Sequence, residues 1–279
     1  MAASLPVRGR TAAGQGFPVP PERMAAVRRG RPLKRWHYVG AYGDEVSVCV
    51  AEVRIGPVPQ RFWAVAVPGE LLGEHTTLAR GGISVAGSRV RVRGKGVSIA
   101  LDIDDSGVEP VEVLSPHGRS YIWTRKLAGV GIRGCVEVAG RTFDLDCAGM
   151  VDESAGYHAR RTAWRWSAGV GRTAAGQGVA WNLVAGVHDA LVASERTIWL
   201  DGRAHEVSPA AFAEDLSWVA FDGGEQLLFQ PWAERAAHTN LVVARSRYRQ
   251  PFGEFSGTLP GGIELAHGRG VMEWHDVIW

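Results

Sequence analysis

Hydrophobic and polar residues alternate with a period of two along most of the chain. Residues 46–50 read Val-Ser-Val-Cys-Val, and residues 97–103 read Val-Ser-Ile-Ala-Leu-Asp-Ile. Successive side chains of a β-strand point to opposite faces of the sheet, so this pattern gives each segment one apolar face. It predicts half-buried strands of antiparallel sheets.

Short turn signals separate these segments. Asp201-Gly202 lies between residues 197–200 and 203–207, which is typical of a tight hairpin. Glycine-rich turns are also predicted at residues 222–224 and 260–262. The octapeptide GRTAAGQG occurs at residues 9–16 and again at 171–178, where we predict a hairpin loop.

Helix signals are few. Ser208-Pro209 supplies an N-cap residue followed by a proline suited to the first helical position, which predicts one short helix ending near Asp215. Residues 231–238 are predicted to hold another turn or two of helix.

Regularly spaced strands with few short helices predict an all-β protein built from antiparallel β-barrels. The strands are too many for one small barrel, so we predict two barrel domains. Their expected ranges are residues 36–150 and 151–279, with a seam near residues 148–154 and a basic, partly flexible arm at residues 1–35.

Composition narrows the classes of function. The 279 residues carry a net charge of +2, which excludes a histone-like nucleic-acid binder and a highly charged disordered chain. No apolar run reaches the ~18–20 residues of a membrane helix, and residues 1–10 lack the apolar core of a secretion signal. We therefore expect no membrane span and a cytoplasmic location.

The basic residues cluster at the N-terminus. Residues 1–35 contain eight Lys or Arg side chains and one Glu. Such an arm is expected either to lie solvated over an acidic body or to make a weak contact with an anionic surface.

The sequence predicts no metal, cofactor or disulfide. Its three cysteines are far apart with no Cys-x-x-Cys pair, and its nine histidines are scattered. A G-x-G-x-x-G string at residues 129–134 precedes a strand rather than the helix that binding of a dinucleotide requires.

Eleven tryptophans are an unusual number for this length. They predict an aromatic interior suited to sugars, apolar polyenes or carbocations, although ordinary core packing is the alternative for any single Trp.

One dense group of polar and aromatic residues lies in the middle of the chain. Asp152, Tyr157 and His158 are candidate catalytic residues, because such groups transfer protons when burial adjusts their pKa. Trp164 and Trp166 follow on one face of a predicted strand and are candidate walls of a binding site at a barrel mouth. The alternative is a hydrogen-bonded start of the strand, with an arginine at 160 or 161 paired to Asp152.

A second group lies near the end of the sequence. Glu273 and His275 share one face of a predicted strand, ~7 Å apart, where they can act as an acid–base pair. The alternative is an outward polar row over a buried Trp274. Asn182, at the end of the dense middle region, and Glu195 are further candidates for contact with substrate. Glu195 is an isolated polar residue near a strand, as are the weaker candidates Glu234, Arg235 and Asn240.

Several segments carry a resemblance to a known family. They are residues 152–166 (DESAGYHARRTAWRW), residues 179–183 (VAWNL), residues 249–257 (RQPFGEFSG) and the closing Glu273-Trp274-His275. Over roughly residues 36–279 the chain resembles the family called domain of unknown function 2804. It departs from many relatives at Tyr157-His158-Ala159, where they have Trp-Pro-Tyr.

That family is similar to a wider lipocalin-like superfamily with AttH-like proteins and carotenoid hydratases. The resemblance implies two lipocalin-like barrels. Some of these relatives hydrate or cyclise isoprenoid alkenes with a protonating acid in an apolar, aromatic pocket. Asp152 or Glu273 would be the proton donor in such a reaction, with Tyr157, His158 and His275 as relays.

Three functions therefore remain open. The first is an acid–base enzyme of the hydratase, cyclase or isomerase type, without a cofactor, that acts on a small apolar molecule. The second is a carrier or sensor of a lipophilic ligand. The third is a carbohydrate-binding or carbohydrate-active protein, which would need two carboxyl groups ~5–10 Å apart. No nucleic-acid partner is expected, and the oligomeric state is left open.

Overall fold

The computed structural model of the protein describes residues 5–9, 16–78, 81–240 and 245–279. Within these ranges every regular element is a β-strand, and there is no helix. The strands are β1 Val7–Arg8, β2 Val27–Arg28, β3 Arg31–Pro32, β4 Lys34–Tyr42, β5 Ser47–Ile55, β6 Val58–Val67, β7 Glu70–Thr77, β8 Ile83–Ala86, β9 Arg89–Gly94, β10 Val97–Asp104, β11 Val111–His117, β12 Ser120–Val138, β13 Arg141–Gly156, β14 Arg161–Thr173, β15 Gly178–Ala185, β16 Thr197–Leu200, β17 Arg203–Glu206, β18 Ala210–Phe212, β19 Trp218–Phe221, β20 Gln226–Asn240, β21 Arg245–Leu259 and β22 Ile263–Ile278.

The first large sheet contains eleven of these strands. Its order is β7-β6-β5-β4-β13-β12-β10-β9-β8, with β11 paired to β12 and β1 paired to β11. The sheet curls so that β8 approaches β5. The curl encloses a core of alternating aliphatic residues, among them Val50, Val65, Ile99 and Ile132. The apolar residues of the period-two pattern therefore form the inward face of a half-barrel.

The second sheet contains nine strands in the order β17-β16-β15-β14-β22-β21-β20-β19-β18. It also curls, because β18 approaches β15. Its core includes Trp181, Phe229, Phe255 and Met272, so the aromatic residues of this half are partly ordinary packing. Two curled antiparallel sheets with no described helix confirm the all-β prediction.

The two sheets pack against each other through a shared apolar layer. Ala51 and Ala64 of the first sheet lie in one buried cluster with Ala168, Trp166 and Phe252 of the second. Small side chains allow the two backbones to approach closely, while the aromatic rings fill the wider spaces. The layer makes the two halves one continuous core.

The N-terminal segment packs onto the first sheet rather than lying free over its described length. Strand β1 pairs with β11, and Val19 and Met24 are buried against Tyr121 and Tyr157. The Tyr121 hydroxyl donates to the Pro18 carbonyl at 2.6 Å, and the Tyr157 hydroxyl donates to the Ala25 carbonyl at 2.8 Å.

Two basic residues of this segment bind within the molecule. Arg8 donates to the Ser194 carbonyl at 2.6 Å and lies 3.7 Å from the Glu206 carboxylate, which joins the segment to the second sheet. Arg31 donates to the carbonyl groups of His117 and Tyr157. Contact of the remaining basic groups with an anionic surface stays a prediction.

Both predicted helices are wrong. Residues 210–212, expected in a helix that ends near Asp215, form β18 and pair with β19, where Ala210 lies opposite Phe221. Residues 231–238 lie inside β20, and Pro231 sits where the register with β21 shifts. A proline that cannot donate a ladder hydrogen bond is tolerated at such a bulge, and the sheet pairing outweighs the local helix signals.

The hairpin predictions are confirmed. Asp201 and Gly202 join β16 to β17 with positive φ angles of 47° and 82°, as a primed turn requires. The second GRTAAGQG copy spans the end of β14, the turn and the start of β15. Most of the first copy, residues 10–15, lies outside the described residues.

The chain leaves the first sheet later than the sequence indicated. Strand β13 continues unbroken to Gly156, and the second sheet begins at Arg161 in β14. The crossing therefore lies at residues 157–160 instead of the predicted 148–154. The difference matters for function because Asp152 belongs to the first sheet.

The Tyr157 hydroxyl fixes the N-terminal segment. We expect Tyr157→Phe to lower the free energy of unfolding by about 1 kcal/mol, because the hydrogen bond from the buried hydroxyl to the Ala25 carbonyl is lost. Urea denaturation measures the change, and Tyr121→Phe, which removes the bond to Pro18, is the matched variant. Unchanged midpoints in both variants would contradict an anchoring role.

Candidate functional site

A cavity of about 330 Å³ lies between the two sheets. Strands β4, β5, β6, β12 and β13 of the first sheet form one wall, and β14, β15, β20, β21 and β22 of the second form the other. The sequence predicted a site at the mouth of one barrel. The cavity of the structure lies instead between the two halves, and Ala51 of the shared layer lines it together with polar and aromatic residues of both sheets.

Two cross-strand rows build the wall of the first sheet. In one row, Lys126 of β12 lies opposite Asp152 of β13, which lies opposite Tyr38 of β4. In the next row, Thr124 lies opposite Ser154, which lies opposite Trp36. Residues that lie opposite each other on adjacent strands point to the same face of the sheet. The side chains at the ends of both rows therefore line the cavity.

The second sheet forms the facing wall in the same way. Trp166 of β14 lies opposite Glu273 of β22, and Trp164 lies opposite His275. His275 in turn lies opposite Tyr248 of β21. The predicted sharing of a face by Trp164 with Trp166, and by Glu273 with His275, is confirmed, and the ladder joins the two pairs into one surface.

Glu273 is buried among neutral hydrogen-bond donors. The Trp164 indole N–H donates to Oε1 at 2.7 Å, and the Gln250 amide donates to Oε2 at 3.0 Å. Burial raises the pKa of Glu273 from its usual 4.5 to about 7, while the hydrogen bonds from Trp164 and Tyr248 oppose the rise. The carboxyl group is therefore close to half protonated at neutral pH.

Gln250 connects this carboxyl group to the first sheet. Its amide is fully buried and accepts a weak hydrogen bond from the Cys49 thiol of β5, at 3.6 Å between Sγ and Oε1. Burial raises the pKa of Cys49 to about 12, so the thiol keeps its proton and acts as a donor. The Gln250 amide therefore lies between the thiol, which donates to its oxygen, and Glu273, which accepts from its nitrogen.

A buried ion cluster lies on the opposite wall. Lys126 Nζ is 2.6 Å from Asp152 Oδ1 and 3.6 Å from Glu195 Oε1. Burial opposes the charge on Lys126, but the two carboxylates outweigh it and the pKa of Lys126 is raised. Burial also raises the pKa of Asp152, although the ammonium group favours its charged form. The arginines at 160 and 161 bind elsewhere, to Trp279 and Asp276.

The histidines of the cavity are neutral. Burial lowers the pKa of His188 to about 3, and nearby Lys126 contributes to the fall. Burial also lowers the pKa of His275 to about 3, and its Nε2 is 2.8 Å from Ser246 Oγ. The pKa of His158 is well below its usual value because of its burial. A neutral imidazole adds polarity to the site without adding charge.

Arg235 places a fixed cation beside the aromatic part of the wall. Its guanidinium lies 4.0 Å from the centre of the Phe62 ring and 4.9 Å from that of Tyr248. Glu74 Oε2 is 3.2 Å from Nε, and Thr76 accepts a hydrogen bond of 3.0 Å. These contacts join β20 of the second sheet to the edge strand β7 of the first.

The cavity collects most of the predicted site residues: Asp152, His158, Trp164, Trp166, Glu195, Glu273 and His275 line it. Tyr157 does not. It lies in the cluster under the N-terminal segment, where its hydroxyl is bound by Ala25, so it is not placed to relay protons in the cavity.

Asn182 does not line the cavity either, but it contacts residues that do. Its Oδ1 accepts a hydrogen bond of 2.8 Å from the Trp166 indole, and its Nδ2 donates to the Glu195 carbonyl at 2.9 Å. Asn182 thus holds the Trp166 indole and the Glu195 backbone and does not itself line the cavity, so its direct contact with substrate stays a prediction that this geometry does not favour.

Sequence reasoning missed Lys126, Gln250 and Tyr248, and treated Arg235 only as an isolated polar residue. Lys126 is one of three lysines in the chain and stands in an apolar run, which was the available signal. Its partners Asp152 and Glu195 are distant in sequence, so only the sheet registers bring them together.

No group of three or more side chains suited to hold a metal ion occurs in the described parts of the chain. No helix in those parts is long and apolar enough to cross a membrane.

The family model described as Domain of unknown function (DUF2804) matches residues 74–279. The chain belongs to the DUF2804 family. No curated protein matches the sequence of this DUF2804 protein.

Two solved structures share the fold of this DUF2804 protein. A protein of the AttH type from Nitrosomonas europaea has 12% identity and a TM-score of 0.50, over 93% of this chain and 98% of that one. Kievitone hydratase from Nectria haematococca has 12% identity and a TM-score of 0.54, over 86% of this chain and 88% of that one. The predicted AttH-like, lipocalin-like fold is thereby confirmed.

The raised pKa of Glu273 predicts a pH-dependent effect of its replacement. The folded state holds this proton more tightly than the unfolded state, so the favourable contribution is complete below about pH 4.5 and is lost as the pH rises to about 7. Glu273→Gln has no proton to lose. We expect the free energy of unfolding of this variant, relative to the unsubstituted protein, to rise by about 3 kcal/mol across that range.

Denaturation midpoints in urea at several pH values between 4.5 and 7 measure this difference. Glu234→Gln is the control, because Glu234 lies outside the cavity in an ion pair with Arg249. A difference that stays flat with pH for Glu273→Gln would contradict the raised pKa.

Proposed function

We propose that this protein is an acid–base enzyme that hydrates or cyclises a small, apolar, isoprenoid-like alkene with its own side chains. The observation that carries the proposal is the buried Glu273 carboxyl group, with a pKa of about 7, in a cavity walled by tryptophan. A general acid works best when its pKa is near the working pH.

The surroundings favour Glu273 over Asp152 as the proton donor. Asp152 lies 2.6 Å from the Lys126 ammonium group, which stabilises the carboxylate and holds it in an ion pair. Glu273 instead receives hydrogen bonds from the uncharged Trp164 and Gln250 side chains. Glu273 can therefore alternate between acid and carboxylate without breaking a buried ion pair.

The proposed reaction balances in protons. The Glu273 carboxyl group protonates one alkene carbon, so a C–H bond forms from the π electrons and a carbocation remains at the other carbon. The ring faces of Trp164 and Trp166 stabilise this cation in the cavity. Water in a hydration, or a hydroxyl group of the substrate in a cyclisation, then forms the C–O bond and returns a proton to the Glu273 carboxylate.

Size and fold support a small substrate. A cavity of about 330 Å³ is near the lower end of the ~300–1,000 Å³ range of small-molecule sites. One protein that shares the fold is named a hydratase, which agrees with the proposal at the level of the fold.

We expect wild-type protein in D₂O to incorporate deuterium into isoprenoid alkenes, and Glu273→Gln to lower that rate at least ~100-fold. Geraniol, farnesol and a prenylated phenol are suitable substrates, and mass spectrometry distinguishes a hydrated product from a cyclised one of unchanged formula. The rate of wild-type protein should fall as the pH rises through about 7, because the donor must be protonated.

Glu234→Gln, which removes a carboxylate outside the cavity, should keep the wild-type rate. Full activity in Glu273→Gln would reject Glu273 as the acid. Binding of the alkenes without any deuterium incorporation would reject the enzyme and favour the lipophilic carrier.

A further inference from the structure

One end of the cavity holds buried polar atoms whose hydrogen-bonding capacity is unused by the described protein groups. They are Thr124 Oγ1, Glu195 Oε2 and His188 Nδ1. Thr124 and Glu195 are only 1% and 2% exposed, and all three residues line the cavity. Buried polar groups are normally paired, so unpaired ones directed at a cavity indicate a ligand group that completes them.

These atoms surround Lys126 and lie apart from the Glu273 hydrogen bonds. Thr124 precedes Lys126 by two residues in β12, so the two side chains share one face of the strand. Glu195 Oε1 lies 3.6 Å from Lys126 Nζ, which leaves Oε2 as the free oxygen of that carboxylate. We call Thr124, Lys126 and Glu195 the polar subsite.

The donors and acceptors of the polar subsite specify the ligand group. Glu195 Oε2 accepts hydrogen bonds only, so the ligand must donate one. Lys126 has three N–H donors, and its ammonium group pairs with Asp152 at 2.6 Å and Glu195 at 3.6 Å, so at least one donor is left for an acceptor on the ligand. The Thr124 hydroxyl can donate or accept a hydrogen bond. A hydroxyl group meets both requirements with a single oxygen atom.

Charge excludes a carboxylate or an ammonium group as the polar end of the ligand. A carboxylate on the ligand would lie against Asp152 and Glu195, and an ammonium group would lie against Lys126. Burial already lowers the pKa of His188 at this end to about 3 and raises that of Asp152, so the surroundings resist any further charge.

We propose that the polar subsite binds an uncharged hydroxyl group, an alcohol or a phenol, at one end of an otherwise apolar ligand. This inference rests on the proposed function for the apolar part of the ligand and adds its polar end. The hydroxyl group would hold the ligand by one end on the first sheet and direct its apolar part toward Trp164, Trp166 and Glu273 on the second.

Equilibrium binding of four related probes tests the inference without catalysis. Farnesol, farnesene, farnesoic acid and farnesylamine share an isoprenoid chain and differ in carrying a hydroxyl group, no polar group, a carboxylate or an ammonium group. Quenching of tryptophan fluorescence gives each dissociation constant. We expect farnesol to bind about tenfold more tightly than farnesene, and both charged probes to bind more weakly than farnesol.

Thr124→Val removes the hydroxyl oxygen and keeps the shape of the side chain. We expect it to reduce the preference for farnesol over farnesene severalfold, while the melting temperature stays unchanged or rises, since an unpaired buried atom is lost. Glu195→Gln, which replaces Oε2 by an amide, is the second variant. Ser115→Ala is the control, because Ser115 Oγ is also buried and unpaired but lies outside the cavity.

Each outcome decides between the two proposals. Equal binding of farnesol and farnesene, or an unchanged preference in both subsite variants, would overturn the polar subsite alone. Tightest binding of the acid or the amine would overturn its uncharged character. Failure of all four probes to bind would overturn the apolar ligand and the proposed function with it.

Discussion

The two curled sheets pack against each other through one buried apolar layer, and the rest of the molecule depends on that packing. Its small side chains include Ala128 of β12 and Ala180 of β15, two strands that lie close together across the boundary between the sheets. The cavity lies between the sheets beside this layer, and Ala51 of the layer lines it. The site is thus a consequence of how two barrel-like halves fit, and neither half contains it alone.

Burial in this gap is the common cause of the unusual protonation states. It raises the pKa of Glu273 and Asp152 and lowers that of His188 and His275. Each shift moves its group toward the uncharged form. Lys126 and Arg235 are exceptions, because nearby acidic groups favour their charged forms. The cavity therefore has an ion cluster around Lys126 of the first sheet, and on the second sheet a buried carboxyl group that accepts hydrogen bonds from uncharged donors.

Period-two patterns were enough to predict the strands, the hairpin at Asp201-Gly202 and the paired faces of Trp164 with Trp166 and Glu273 with His275. These features are local, so the sequence contains them. Local signals failed where sheet pairing opposed them, as in β18. They also failed for Tyr157, whose partner Ala25 is distant in sequence, and for Lys126, whose importance comes from Glu195 in the other half. Contacts between halves have no sequence periodicity to reveal them.

The bond from Cys49 to Gln250, and from Gln250 to Glu273, crosses the boundary between the halves. The Glu273 carboxyl group on the second sheet is thus linked through Gln250 to a thiol on the first, and the charge of Asp152 on the first sheet raises its pKa further. Both halves therefore build the surroundings of Glu273 in this chain, and a fragment that contained only one of them would lack part of those surroundings.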